Sequence, residues 1–152
     1  MLDTFPIVDK FGGKVRQIDT SIFQLLRGEV YNIGGKTIFT FGGAGSIDKV
    51  YRQEGISWWS SEWPTNKEIE NALNNLEKVN YKVDIVVTHT CPSNLLPYVL
   101  DGENRYGEDI CNKFFEEIQS KLDYDFWYFG HFHKDLKIGK DIAIFNEVVV
   151  IE

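Results

Sequence analysis

The chain has 152 residues, about one domain, and its 43% apolar and 14% aromatic content excludes a disordered composition and allows a sizeable core. A formal net charge of −7 argues against a nucleic-acid phosphate surface or an anionic membrane as partner, although bound cations can reverse the local sign at a phosphate ester. Cys91 and Cys111 make no disulfide framework, residues 1–10 show no signal-peptide pattern, and no apolar run is long enough to span a bilayer, so the expectation is a cytoplasmic protein.

In chain order, residues 2–10 read as a short helix or a loop, and the stretch FGGKVRQI as a turn feeding a strand. Residues 21–26 and 29–33 read as strands. Gly34-Gly35 makes a two-residue hairpin turn, since glycine tolerates positive φ, and residues 36–41 form the return strand. Gly42-Gly43-Ala44-Gly45 breaks it, and residues 46–53 are a short helix or an irregular loop. Thr65 and Glu68 form a capping box that opens a helix with Ile69, Ala72, Leu73, Leu76 and Val79 on one face. Residues 83–87 are a continuous apolar run, of the kind buried on both faces. Residues 91–107 form a long loop whose length points to function. A second helix covers 108–122, with Ile110, Phe114, Ile118 and Leu122 on one face. Residues 125–129 are a strand, and 136–138, 142–145 and 148–151 are short strands with a turn at Gly139-Lys140. Hairpins mixed with strand-helix-strand units predict an α/β fold with mixed β-sheet layers flanked by helices, in one domain over 1–152.

The most informative stretch is Gly130-His131-Phe132-His133. It follows an apolar strand. In an extended segment, residues two apart face the same side, so His131 and His133 can aim two imidazoles at one point. His89 ends the other apolar strand, and ligand sites in α/β sheets collect at such strand ends. The three histidines are therefore candidate metal ligands. The ordinary alternative is surface or capping histidines. Cys91 can in principle ligate a soft metal, but a packing role is favoured because Pro92 redirects the chain beside it. The Gly42–Gly45 loop lacks a nucleotide-binding fingerprint and reads as a tight turn. Asp48 and Arg52 are either a helical i, i+4 pair or the lining of a cleft. Trp58-Trp59, with Trp63 and Tyr51 nearby, reads as core in preference to a substrate-flanking patch. Arg105, in Asn104-Arg105-Tyr106, offers a cation to a substrate, against a default of solvated loop. No nucleophile elbow and no basic-aromatic stripe is present.

The ordered set FTFGGAGSIDKVYR, WWSSEWPT, VVTHTCP and FGHFHKD resembles the calcineurin-like metallophosphoesterases over nearly the whole chain, and most strongly over 41–135. The resemblance implies the carboxyl-terminal half of an αββα sandwich. It implies two divalent ions (manganese, iron or zinc) that bind a phosphate and activate a bridging water. It assigns His89 and His131 to the second metal and His133 to the first. The family's Asp-x-His, Gly-Asp-x-x-Asp and Gly-Asn-His-Glu/Asp motifs do not occur in this sequence. The expectation is thus an incomplete domain whose half-site hydrolyses phosphate mono- or diesters only when an amino-terminal half completes it. Without that half, exposed sheet edge and apolar surface favour self-association. The alternative is a non-catalytic binding or interaction module. A weaker third option is a stand-alone zinc hydrolase in which all three histidines share one ion.

Overall fold

The computed structural model describes residues 2–45, 51–100 and 109–151. Its centre is a six-stranded mixed sheet in the order β4-β5-β6-β7-β9-β8, beside a three-stranded antiparallel sheet β1-β2-β3. The small sheet comprises β1 (Ile7–Lys10), β2 (Gly13–Gln17) and β3 (Phe23–Leu25). The large one comprises β4 (Glu29–Ile33), β5 (Lys36–Phe41), β6 (Ile85–Thr88), β7 (Phe126–Phe129), β8 (Leu136–Ile138) and β9 (Asp141–Ala143). Three helices are described: α1 (Asn66–Lys78), α2 (Leu96–Val99) and α3 (Ile110–Gln119). The predicted α/β class with mixed sheet layers is the fold observed. Among the described residues no helix is long and apolar enough to cross a membrane.

The β4–β5 hairpin turns at Gly34 and Gly35, with φ of 63° and 82°, the double positive φ that a tight hairpin needs. β5, β6 and β7 then run parallel in register, with Phe39 beside Val86 and Val86 beside Trp127. Such parallel neighbours need crossover connections, and α1 and α3 lie in the two crossovers. α1 opens at Thr65: Glu68 N donates to Thr65 Oγ1 at 3.2 Å and Thr65 N donates to Glu68 Oε2 at 2.7 Å. Its predicted stripe packs inward, Ala72 and Leu76 fully and Ile69, Leu73 and Val79 in part.

Alternation along the strands divides the large sheet into two unlike faces. Phe39, Phe41, Val86, Trp127 and Phe129 join the helices in the core, where Phe41 meets Phe114 and Phe115 at centroid separations of 5.1 and 5.6 Å. On the other face Tyr31 fastens the small sheet: its hydroxyl donates to Lys14 O at 2.6 Å and accepts from Leu26 N at 2.8 Å. Farther along that face Val87 is 41% and Phe126 39% exposed. The apolar run through β6 is therefore covered on both faces at Ile85 and Val86, as expected, and is open on the outer face at Val87. Continuous apolarity does not tell where along a strand the cover of its second face ends.

Other expectations also change. Residues 7–10 are strand β1, not helix or loop, because the next two residues, Phe11 and Gly12 at φ of 58° and 89°, turn the chain back onto β2. The loop expected over 91–107 contains α2, a single turn. Residues 148–151 form no strand. Val148 there is 92% and Val150 79% exposed.

Candidate functional site

The carboxyl ends of β6 and β7 lie side by side, since Thr88 pairs with Phe129. β6 hands its chain directly to His89, and β7 reaches His131 through Gly130. Gly130 N donates to His89 O at 3.1 Å, extending the strand contact one step beyond the ladder. The two rings meet there: His131 Nδ1 lies 3.0 Å from His89 Nε2, with the planes at 75°. At that separation the two nitrogens can share one proton, and the tautomers decide which of them donates.

His133 does not join them. The chain leaves the extended conformation at Gly130, Phe132 N donates to Gly130 O at 3.0 Å, and both His131 and His133 take positive φ, 74° and 52°. Left-handed backbone at non-glycine residues is uncommon, though histidine adopts it more readily than most, and Asn80 and Tyr81 do so as well at the end of α1. The bend defeats the period-two argument for a shared target. His131 faces His89, and His133 stacks on Phe145 with centroids 4.9 Å apart and planes at 22°.

The pair is biased toward the neutral state. Partial burial lowers the pKa of His89, against the opposing carboxylates of Glu62 and Asp109. Partial burial also lowers that of His131, helped by His89. Both residues keep exposed surface, so this desolvation is incomplete. A cation takes both facing nitrogens only when each neutral ring carries its proton on the other nitrogen. A divalent ion about 2.0–2.2 Å from each nitrogen separates them by about 3 Å at an octahedral angle and about 3.4 Å at a tetrahedral one, so the pair lies near the edge length of an octahedral shell and would open slightly for a tetrahedral one. Two imidazoles alone do not hold such an ion tightly. Among the described residues no three His, Cys, Asp or Glu side chains converge as a metal-holding group.

Cys91 and Cys111 are free and buried, and burial pushes both thiols up to about 12, which fits the packing role expected for Cys91. Asp48 and Arg105 lie outside the described residues. Arg52 is exposed, and its guanidinium donates to Ser57 O at 3.1 Å within its own turn. The tryptophans of this segment are not core: Trp59 is 44% exposed, and Trp58 and Trp63 are half-buried. The polar ends of these rings suit a boundary position better than a dry interior.

The turn at 60–63 is fixed by a residue the sequence reading passed over. Arg27 donates to the carbonyls of Ser61, Glu62 and Trp63 at 2.8, 3.1 and 3.2 Å, and pairs with Glu68 at 3.4 Å. Glycines admit this turn against the loop after β5: a Cβ at Gly45 would lie 2.8 Å from the Trp63 ring, and one at Gly43 would meet Glu62 O and Arg27. Asp109 then ties the loop to α3, its Oδ2 accepting from Gly45 N at 2.6 Å and its Oδ1 from Asn112 N at 2.9 Å. The sequence signal for this second cap was Asp109-x-x-Asn112, obscured because Asn replaces the usual Glu or Gln.

Comparison with protein-family models, with curated proteins and with solved structures gave no match.

Proposed function

We propose that this chain contributes histidine ligands to a divalent-metal centre for phosphoester hydrolysis, with His89 and His131 on one ion and His133 on a second. The observation that carries the reading is the 3.0 Å approach of His131 Nδ1 to His89 Nε2 at the ends of neighbouring parallel strands. The divergence of His133 from that pair is consistent with service to a different ion, as the resemblance to the calcineurin-like metallophosphoesterases implies. A metal there would polarise a phosphoryl oxygen and lower the pKa of bound water. The chain's own part is to hold neutral imidazoles in place. The remaining ligands come from groups beyond the three histidines.

Titration calorimetry with Zn²⁺ or Mn²⁺ tests the site. Binding by the wild type that is lost in both His89→Ala and His131→Ala is expected. No binding, or binding unaffected by either change, overturns the metal reading. Hydrolysis of bis(p-nitrophenyl) phosphate by the protein in its native assembly with Mn²⁺ tests the enzyme claim, and inactivity there defeats it.

A second reading, a non-catalytic binding module, draws on the convergence of only two ligands among the described residues. Metal uptake without hydrolysis distinguishes it.

A further inference from the structure

The chain around His89 is gripped residue by residue. Thr88 Oγ1 accepts from the Trp127 indole N–H at 2.8 Å and donates to Thr90 O at 2.6 Å. His89 O accepts from Gly130 N. The next two residues are held from α3: Asn112 Nδ2 donates to Thr90 Oγ1 at 3.2 Å and to Cys91 O at 2.7 Å. Asn112 is 4% exposed, so its amide has exchanged water for these partners.

The two halves of that amide do different work. Oδ1 accepts from Asp109 N at 3.0 Å and closes the helix cap. The NH₂ group is not needed for capping. Both of its hydrogens reach across to the segment that carries His89, in a buried network where partner geometry is strongly enforced.

We infer that Asn112 is a positioning residue for the His89–His131 pair: its NH₂ group fixes Thr90 and Cys91 and thereby sets the separation at which the two imidazoles meet. The inference concerns the ring pair itself, and only its metal arm rests on the proposed function.

Asn112→Asp keeps an oxygen for Asp109 N but has nothing to donate. Thr90→Val removes the hydroxyl acceptor while leaving the helix cap intact, and Thr90→Ser restores the hydroxyl. Thr65→Ala weakens the cap of α1 elsewhere and controls for general loss of stability. Two readouts apply to protein shown to be folded by near-ultraviolet circular dichroism. One is the imidazole ¹⁵N–¹H spectrum of the metal-free chain, which reports the proton shared between His131 Nδ1 and His89 Nε2. The other is Zn²⁺ affinity by calorimetry. Asn112→Asp and Thr90→Val are expected to lose the shared-proton signature and to bind Zn²⁺ about tenfold more weakly, the low end of what supporting hydrogen bonds contribute to metal affinity. Thr90→Ser and Thr65→Ala are expected to match the wild type. Folded variants that keep both wild-type readouts overturn the inference, as does a wild type without the shared-proton signature. If Asn112→Asp does not fold, Thr90→Val decides. If the wild type takes up no Zn²⁺, the metal reading fails, and the metal-free spectrum still decides the positioning role.

Discussion

The Phe145 ring lies nearly parallel to the His133 imidazole, at 4.9 Å and 22°. Asp135 holds that arrangement from behind, its carboxylate accepting from Phe145 N at 2.7 Å and Asn146 N at 3.1 Å. The backbone amides keep the Asp135 carboxyl below its usual pKa. Phe145→Ala is expected to move the His133 ring-proton resonances downfield, as the shielding ring is removed, while those of His89 and His131 stay in place. Because Phe145 is 51% exposed, the stability cost is expected to stay below about 1 kcal/mol.

Two changes should loosen the turn at 60–63 from opposite sides. Arg27→Met leaves three carbonyls without their charged donor and is expected to cost about 2 kcal/mol or more in urea unfolding. Gly43→Ala forces a side chain onto a φ of 109° and against Glu62 O, and is expected to cost at least about 1 kcal/mol. Both should increase hydrogen exchange at residues 60–63 before that of β6.

Asp141 is buried at 8% exposure, accepting from Tyr124 Oη at 2.8 Å and Gln119 Nε2 at 3.2 Å. Burial raises its pKa above the ordinary carboxylate value of 3.8. A carboxyl raised in the fold weighs against stability once it ionises. The penalty is absent below pH 3.8, develops as the pH climbs to the folded pKa, and is complete above it. Asp141→Asn keeps the acceptor oxygen and removes the charge. Its melting temperature should exceed that of the wild type at pH 7, and the gap should close in acid. Tyr124→Phe strips a donor from the buried carboxylate and should cost about 1–3 kcal/mol at pH 7.

The two faces of β6 give a paired test. Val86 is fully buried and Val87 is 41% exposed. Val86→Ala should cost about 2 kcal/mol in chemical denaturation, and Val87→Ala well under half of that. Equal costs would mean that the outer face is covered in solution.

The β4–β5 hairpin and α1 were legible because their signals are local: Gly34-Gly35 between alternating runs, and Thr65 with Glu68 before an apolar stripe. β1 was not, although the turn after it was read, because Ile7-Val8-Asp9-Lys10 shows no apolar–polar alternation. α2 is one turn long with a proline at its start, too short for any period to register. Residues 148–151 carry strong strand propensity but find no partner strand, and propensity without pairing does not make a strand. In the site, the histidines announced themselves by type and by their place after apolar runs. Arg27, Asp109 and Asn112 did not, because their roles come from partners that lie 21–64 residues away along the chain.

The parallel ladder also sets when the histidine pair can exist. His89 and His131 are 42 residues apart, and Gly45 and Asp109 are 64 apart. Each crossover must close before the contacts it serves are made, and closure entropy is spent before those contacts repay it. The pair is therefore a late product of folding, absent from any fragment that stops short of Gly130. In refolding from urea, its shared-proton resonance should arrive with the last kinetic phase, after α1 and the β4–β5 hairpin have formed.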